Sequence, residues 1–207
     1  MLDEAPTRPA GQSPETQPDN LPVDLEAQGR WLAENHRRNA QRSPGVHAGS
    51  LGVGQSSPVP AGLLSARLPR YTSILKEAAS RFQTQTSKAG HLSPAAEWML
   101  DNYHIAAQAL REVQQDLPQH YERQLPRLQA GRPRIYVLSE EIIQTENALL
   151  ILGRVERFVE AYQEVLPLTM GELWALPTML RLGILECLLA AVTRLKNLWA
   201  TGRPAHG

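Results

Sequence analysis

Apolar residues recur with a period near 3.6 from Leu63 onward, and that spacing predicts one amphipathic helix after another. Tyr71, Ile74, Leu75, Ala78 and Phe82 form a single stripe, on a helix that should end near Lys88. Ser93 followed by Pro94 has the composition of an N-cap with proline in the first helical position. Ala95, Trp98, Met99, Asn102, Ile105, Ala106, Ala109, Leu110 and Val113 then share a face until Leu117-Pro118 ends the helix. A shorter element around Tyr121, Leu125 and Leu128 is cut by Pro126 and closed by Gly131. Pro133 can open a helix holding Ile135, Leu138, Ile142 and Leu149, and Val155, Phe158, Val159, Tyr162 and Val165 mark the next. Thr169 and Glu172 have the spacing of a capping box, in which each side chain bonds the other's backbone N–H. The last helix carries Pro177, which should kink it, and runs to about Trp199. Nothing alternates with period two long enough for a strand. The pattern implies an all-α fold, an irregular bundle of five to seven helices.

Upstream of Leu63 the pattern fails. Half of the 16 prolines and half of the 14 glycines lie in the first 62 residues, a composition that cannot bury enough apolar surface to offset chain entropy. Residues 1–62 therefore read as a disordered or linker segment, 63–200 as the helical domain and 201–207 as a flexible tail. One island, 24–38, can form a short helix with Leu25, Trp31 and Leu32 near one face, weakened by Gly29. The glycines of 45–60 make no phosphate loop, because no strand precedes them and no Gly-Lys-Ser/Thr closes them.

Charge removes one class of partner. Lys+Arg and Asp+Glu both number 21, so no net field draws in nucleic acid. The cluster His36-Arg37-Arg38 with Arg42 has no interleaved aromatics and reads as a solvated patch. A single cysteine, Cys187, excludes an internal disulfide and sits in an apolar run, so it is expected to be buried. The first residues lack a secretory core. The most apolar stretch, Leu182 to Val192, is interrupted by Glu186 and is shorter than the roughly 20 residues a membrane helix needs. It reads as a core helix with no direct membrane span.

Candidate chemistry is sparse. Asp101 and His104, with Glu97 and Asn102 nearby, are helix neighbours that also fit a plain surface pair. Glu140-Glu141 and Glu156 with Glu160 suggest a carboxylate pair for glycoside chemistry only if they leave the solvated face. Trp98 belongs to an apolar stripe and is expected in the core. Trp174 stands beside Pro177 and is the more open case. No catalytic, cofactor-binding or metal-binding residue is assigned, and no cofactor is expected. The candidate interaction surface is Thr169, Glu172, Trp174 and Met179 around the proline, where Trp174 and Met179 are either interface anchors or core filling.

The segments Ser93–His104, Tyr162–Leu166 and Thr169–Leu180, within a stretch from about Leu63 to Leu195 and more loosely back to Leu25, resemble the N-terminal helical region of the bacterial cyclic β-1,2-glucan synthases. Met170, Leu166 and the less charged tail after Glu186 depart from that pattern. The resemblance implies a truncated part of a large inner-membrane glycosyltransferase, in which this region precedes a membrane-embedded transferase domain and a phosphorylase-like domain. It carries over no active-site residue. Its implication is a non-catalytic scaffold whose partner is the transferase domain, associated with the inner membrane within a full synthase and cytoplasmic as an isolated chain. The alternative is a free-standing helical protein-interaction module without enzymatic activity.

Overall fold

The computed structural model describes residues 24–41, 62–89, 93–128 and 131–200. They form eight α-helices: α1 Leu25–Gln41, α2 Leu68–Ala89, α3 Pro94–Asp101, α4 Tyr103–Asp116, α5 Gln119–Gln124, α6 Arg134–Thr145, α7 Leu152–Val165 and α8 Met170–Ala200, with a 3-10 turn, Ser65–Arg67, ahead of α2. Among the described residues the only β-type pairing is an isolated antiparallel bridge between Arg127 and Pro133. The fold is all-α. The first 23 residues, 42–61 and the expected tail lie outside the described residues.

The count exceeds the expected five to seven for two local reasons. The helix anticipated from Ser93 to Leu117 breaks at Asn102, whose Nδ2 donates to the Trp98 carbonyl at 2.7 Å. That side chain competes with the backbone and ends α3. The island near residue 24 is also a full helix, α1, with Asp24 Oδ1 accepting from the Ala27 N–H at 3.0 Å as an N-cap.

α1 is no part of a linker. It packs along α7 and touches α6, and it buries Leu25, Leu32, Ala33 and His36. Gly29, expected to weaken the helix, is what lets the pair close up: a Cβ there would lie 2.6 Å from the Phe158 carbonyl oxygen. Trp31 departs from the expected face and is exposed.

α8 forms the axis of the rest, with α2, α4 and α6 packed on it. Phe82, Leu75, Leu110, Val113, Ile142, Leu182 and Leu189 fill the space between these helices, each full burial stabilising by about 1.5–3 kcal/mol. The anticipated caps form. Ser93 accepts from the Ala96 N–H, and Thr169 and Glu172 exchange the reciprocal bonds of the capping box at 2.9 and 3.2 Å.

Buried polar groups are tied across long sequence distances. Glu122 on α5 is fully buried and accepts from the backbone N–H groups of Leu64 (2.5 Å) and Ser65 (3.0 Å), which fixes the entry to α2. Glu186, in the apolar middle of α8, accepts from the hydroxyls of Tyr71 (2.5 Å) and Tyr136 (2.6 Å). Burial and those bonds push the Tyr71 phenol up to about 12 and Tyr136 higher still. Glu172 receives a bidentate pair from Arg134, Nε to Oε1 at 2.8 Å and Nη2 to Oε2 at 2.5 Å. His36 Nδ1 lies 2.8 Å from the Tyr162 hydroxyl.

Candidate docking surface

The proline-containing stretch of α8 does not present the four expected residues together. Met179 is 0% exposed and Glu172 is likewise enclosed, whereas Trp174 is 74% exposed and Thr169 also reaches the surface. The split follows from helical geometry: Met179 lies on the side of α8 that faces the bundle, and Trp174 on a side that none of the described helices covers. Glu172 is buried because its charge is spent on Arg134 and on Thr169, which leaves it no surface role. α8 continues unbroken through Pro177.

The uncovered side of α8 is itself apolar. Met170–Asn197 is long and apolar enough to cross a membrane by length and composition, although only 44% of its most apolar window is buried. The apolar run is thus longer than the Leu182–Val192 stretch read from sequence. Cys187, expected in the core, is exposed.

Beside that face runs a groove of about 440 Å³, bounded by Trp98, Ile105 and Ala109 from α3 and α4, by Leu150, and by Pro177, Leu180, Ile184 and Leu188 from α8. Its only polar borders are Asn102 and Arg181, and Arg181 is held by Asp116 at 3.3 Å and Glu112 at 3.6 Å. Trp98, expected in the core, is 57% exposed at the groove's edge. Ile105 is exposed too. Of α3 and α4 only Ala96, Met99, Ala106, Leu110 and Val113 are buried, and Trp98 and Ile105, each about 100° round the helix from Met99 and Ala106, fall on the flank that borders the groove.

The loop between α6 and α7 extends this surface. Leu149, Ile151 and Leu152 are exposed around Leu150. The turn that carries them is built on two left-handed residues, Asn147 (φ 48°) and Ala148 (φ 63°), an uncommon conformation for alanine. Ala148 N–H donates to the Ile143 carbonyl at 2.8 Å, and Arg154 clamps buried Glu146 with Nε to Oε2 at 2.6 Å and Nη2 to Oε1 at 2.9 Å. A folded scaffold therefore holds Leu149, Ile151 and Leu152 outward, while Leu150 between them packs against the core. Leu149 was expected inside α6; the turn ends that helix at Thr145 and leaves it outside.

The other candidate groups stay apart. Asp101 and His104 are both exposed, and among the described residues no three His, Cys, Asp or Glu side chains are placed to hold a metal ion. Glu140 pairs with Arg132, Glu141 accepts from Gln28 at 2.9 Å, and Glu156 and Glu160 are solvent-facing. No facing carboxylate pair results.

Over 118 residues, 56% of its length, the chain is 35% identical to the cyclic beta-(1,2)-glucan synthase NdvB of Rhizobium meliloti (strain 1021). The similarity is to a glucan synthase. The matched stretch spans only 4% of that protein's length. No family model and no solved structure matches the chain.

The two residues at the heart of the expected surface separate by stability. Met179→Ala should cost about 2–5 kcal/mol, lowering the melting temperature by roughly 5–15 °C at this chain length. Trp174→Ala should stay within about 0.5 kcal/mol of the parent. Thermal unfolding followed by circular dichroism checks both, and comparable losses at the two positions would put Trp174 back in the core.

Proposed function

We propose that this helical body is a non-catalytic scaffold of a cyclic β-1,2-glucan synthase-like glycosyltransferase, and that the groove on α8 seats against the synthase's membrane-embedded transferase domain. The observation that carries the reading is the 35% identity to NdvB. The uncovered apolar face of α8, the groove beside it and the outward side chains of Leu149, Ile151 and Leu152 supply a surface of the right chemistry. A partner built of membrane helices offers apolar ridges, and such ridges lie in a groove between helices. Trp98 and Ile105 would be the anchors, since large apolar side chains enclosed by an interface contribute most of its energy. Seated there, the body would lie at the inner membrane without crossing it.

Two measurements test this. The purified chain, supplied with UDP-glucose and β-1,2-glucan in the presence of magnesium or manganese, should transfer no glucose and hydrolyse no glucan. Turnover abolished by Asp101→Ala or His104→Ala would overturn the scaffold reading. In co-expression with the transferase domain of NdvB, the chain should be captured, and Ile105→Glu should weaken capture while its melting temperature stays close to the parent's. Capture indifferent to that change would remove the groove from the interface.

A further inference from the structure

A second cavity lies on the opposite kind of surface. It holds about 640 Å³ between α1 and α6, bounded by Trp31, Asn35 and His36 of α1, by Val137 and Glu141 of α6, and by Arg132. Trp31 and Asn35 are four residues apart on one helix, and so are Val137 and Glu141 on the other. Each helix therefore contributes one apolar and one polar side chain to its wall of the cavity, and Trp31 supplies a flat aromatic face.

Each polar member keeps bonding capacity. Arg132 donates through Nη2 to Glu140 and stacks 4.9 Å over the Tyr136 ring, yet among the described residues its buried Nε has no hydrogen-bond partner. An unmet buried donor is costly, and the guanidinium that carries it forms part of the cavity's border. Glu141 accepts from Gln28 through Oε1 and has Oε2 for a further donor. His36 sits neutral, its pKa lowered to about 4, chiefly by burial and then by Arg134. Trp31 is 56% exposed, a high value for an indole on a helix that is otherwise well packed.

We propose that this cavity is a non-catalytic site for one or two neutral pyranose units of a glucan, with the C–H face of a sugar ring on the Trp31 indole and its hydroxyls on Arg132, Glu141 and Asn35. A pyranose has one weakly polar face and a rim of hydroxyls that both donate and accept. The cavity matches it with a flat aromatic surface, a donor-only guanidinium, an acceptor-only carboxylate and an amide that does both. The charges of Arg132 and Glu140 cancel, so nothing here selects an anionic ligand. The volume falls within the range of small-molecule sites. The choice of β-1,2-linked glucan as ligand rests on the glucan-synthase reading; the preference for a neutral pyranose rests on the cavity.

The test uses the full chain with linear β-1,2-glucooligosaccharides, cellotetraose and maltotetraose, followed by calorimetry and by tryptophan fluorescence. The β-1,2-linked sugar should bind saturably. Trp31→Ala and Glu141→Gln should each lower its affinity about tenfold or more, with the melting temperature held near the parent's by the exposure of Trp31. Binding of cellotetraose or maltotetraose alone, with the same loss in Trp31→Ala, would uphold the pyranose site and count against the glucan-synthase reading. Absence of saturable binding by all three sugars, or binding that Trp31→Ala leaves intact, overturns the site.

Discussion

Replacing Arg134 by alanine will cost about 3–5 kcal/mol, because it strands the fully buried Glu172 carboxylate. At this length that is a fall of roughly 10 °C or more in melting temperature. Arg134 does more than neutralise charge. It donates twice to Glu172 and once, through Nη2, to the Pro167 carbonyl at 3.1 Å, so it ties the start of α6 to the turn before α8. Glu172 in turn accepts from the Thr169 N–H and hydroxyl. One substitution therefore loosens the cap of the longest helix and its attachment to α6 together. The double change Arg134→Met with Glu172→Leu should recover much of the loss, since an apolar pair of similar volume needs no desolvation. Thermal and denaturant unfolding of the two variants and the parent decide the matter; equal stability of Arg134→Ala and the parent would show the pair to be dispensable.

The second large effect is a loss of stability in mild acid, centred on His36. The imidazole is buried against Tyr162, and its pKa drops from 6.5 to about 4, mainly from desolvation. The unfolded chain then binds a proton that the native one refuses between those values. Stability is full above pH 6.5 and declines as pH falls toward about 4, by about 3 kcal/mol in all. Because the charged imidazole would sit in the contact between α1 and α7, the two helices should part before the bundle around α8 unfolds. Denaturant midpoints between pH 7 and 4.5 should show the decline, and His36→Gln should flatten it. An unaltered slope in that variant would place the acid sensitivity elsewhere.

What was legible in the sequence was local. The Ser93-Pro94 cap and the Thr169–Glu172 box involve residues three apart, and their bonds follow from spacing alone. So does the inward stripe of α2. What escaped was set by partners distant in the chain. Nothing near Glu172 announces Arg134, and nothing near Glu186 announces the hydroxyls of Tyr71 and Tyr136. Glu186 read as an interruption of an apolar run; two phenols make it a half-buried acceptor within a longer one. Trp98 and Ile105 escaped because each stands one position before a buried residue, Met99 and Ala106, and so lies about 100° round the helix on the flank of the apolar stripe. Cys187 and Trp174 lie on a helix that is apolar on all sides, and such a sequence cannot say which side is covered. The cavity between α1 and α6 was out of reach for the same reason, since its two walls are about a hundred residues apart.

The pairing of α1 with α7 also imposes a wait during synthesis. His36 and Tyr162 are separated by 126 residues, and a ribosome adding about 5–20 residues per second needs roughly 6–25 s to supply the second after the first. Through that interval the Leu25, Leu32 and Ala33 side of α1 is already made, and the helix that will cover it is not. Synthesis that stalls between α6 and α7 would leave this apolar strip open to any neighbouring nascent chain, so the first of the described helices is among the last to be secured.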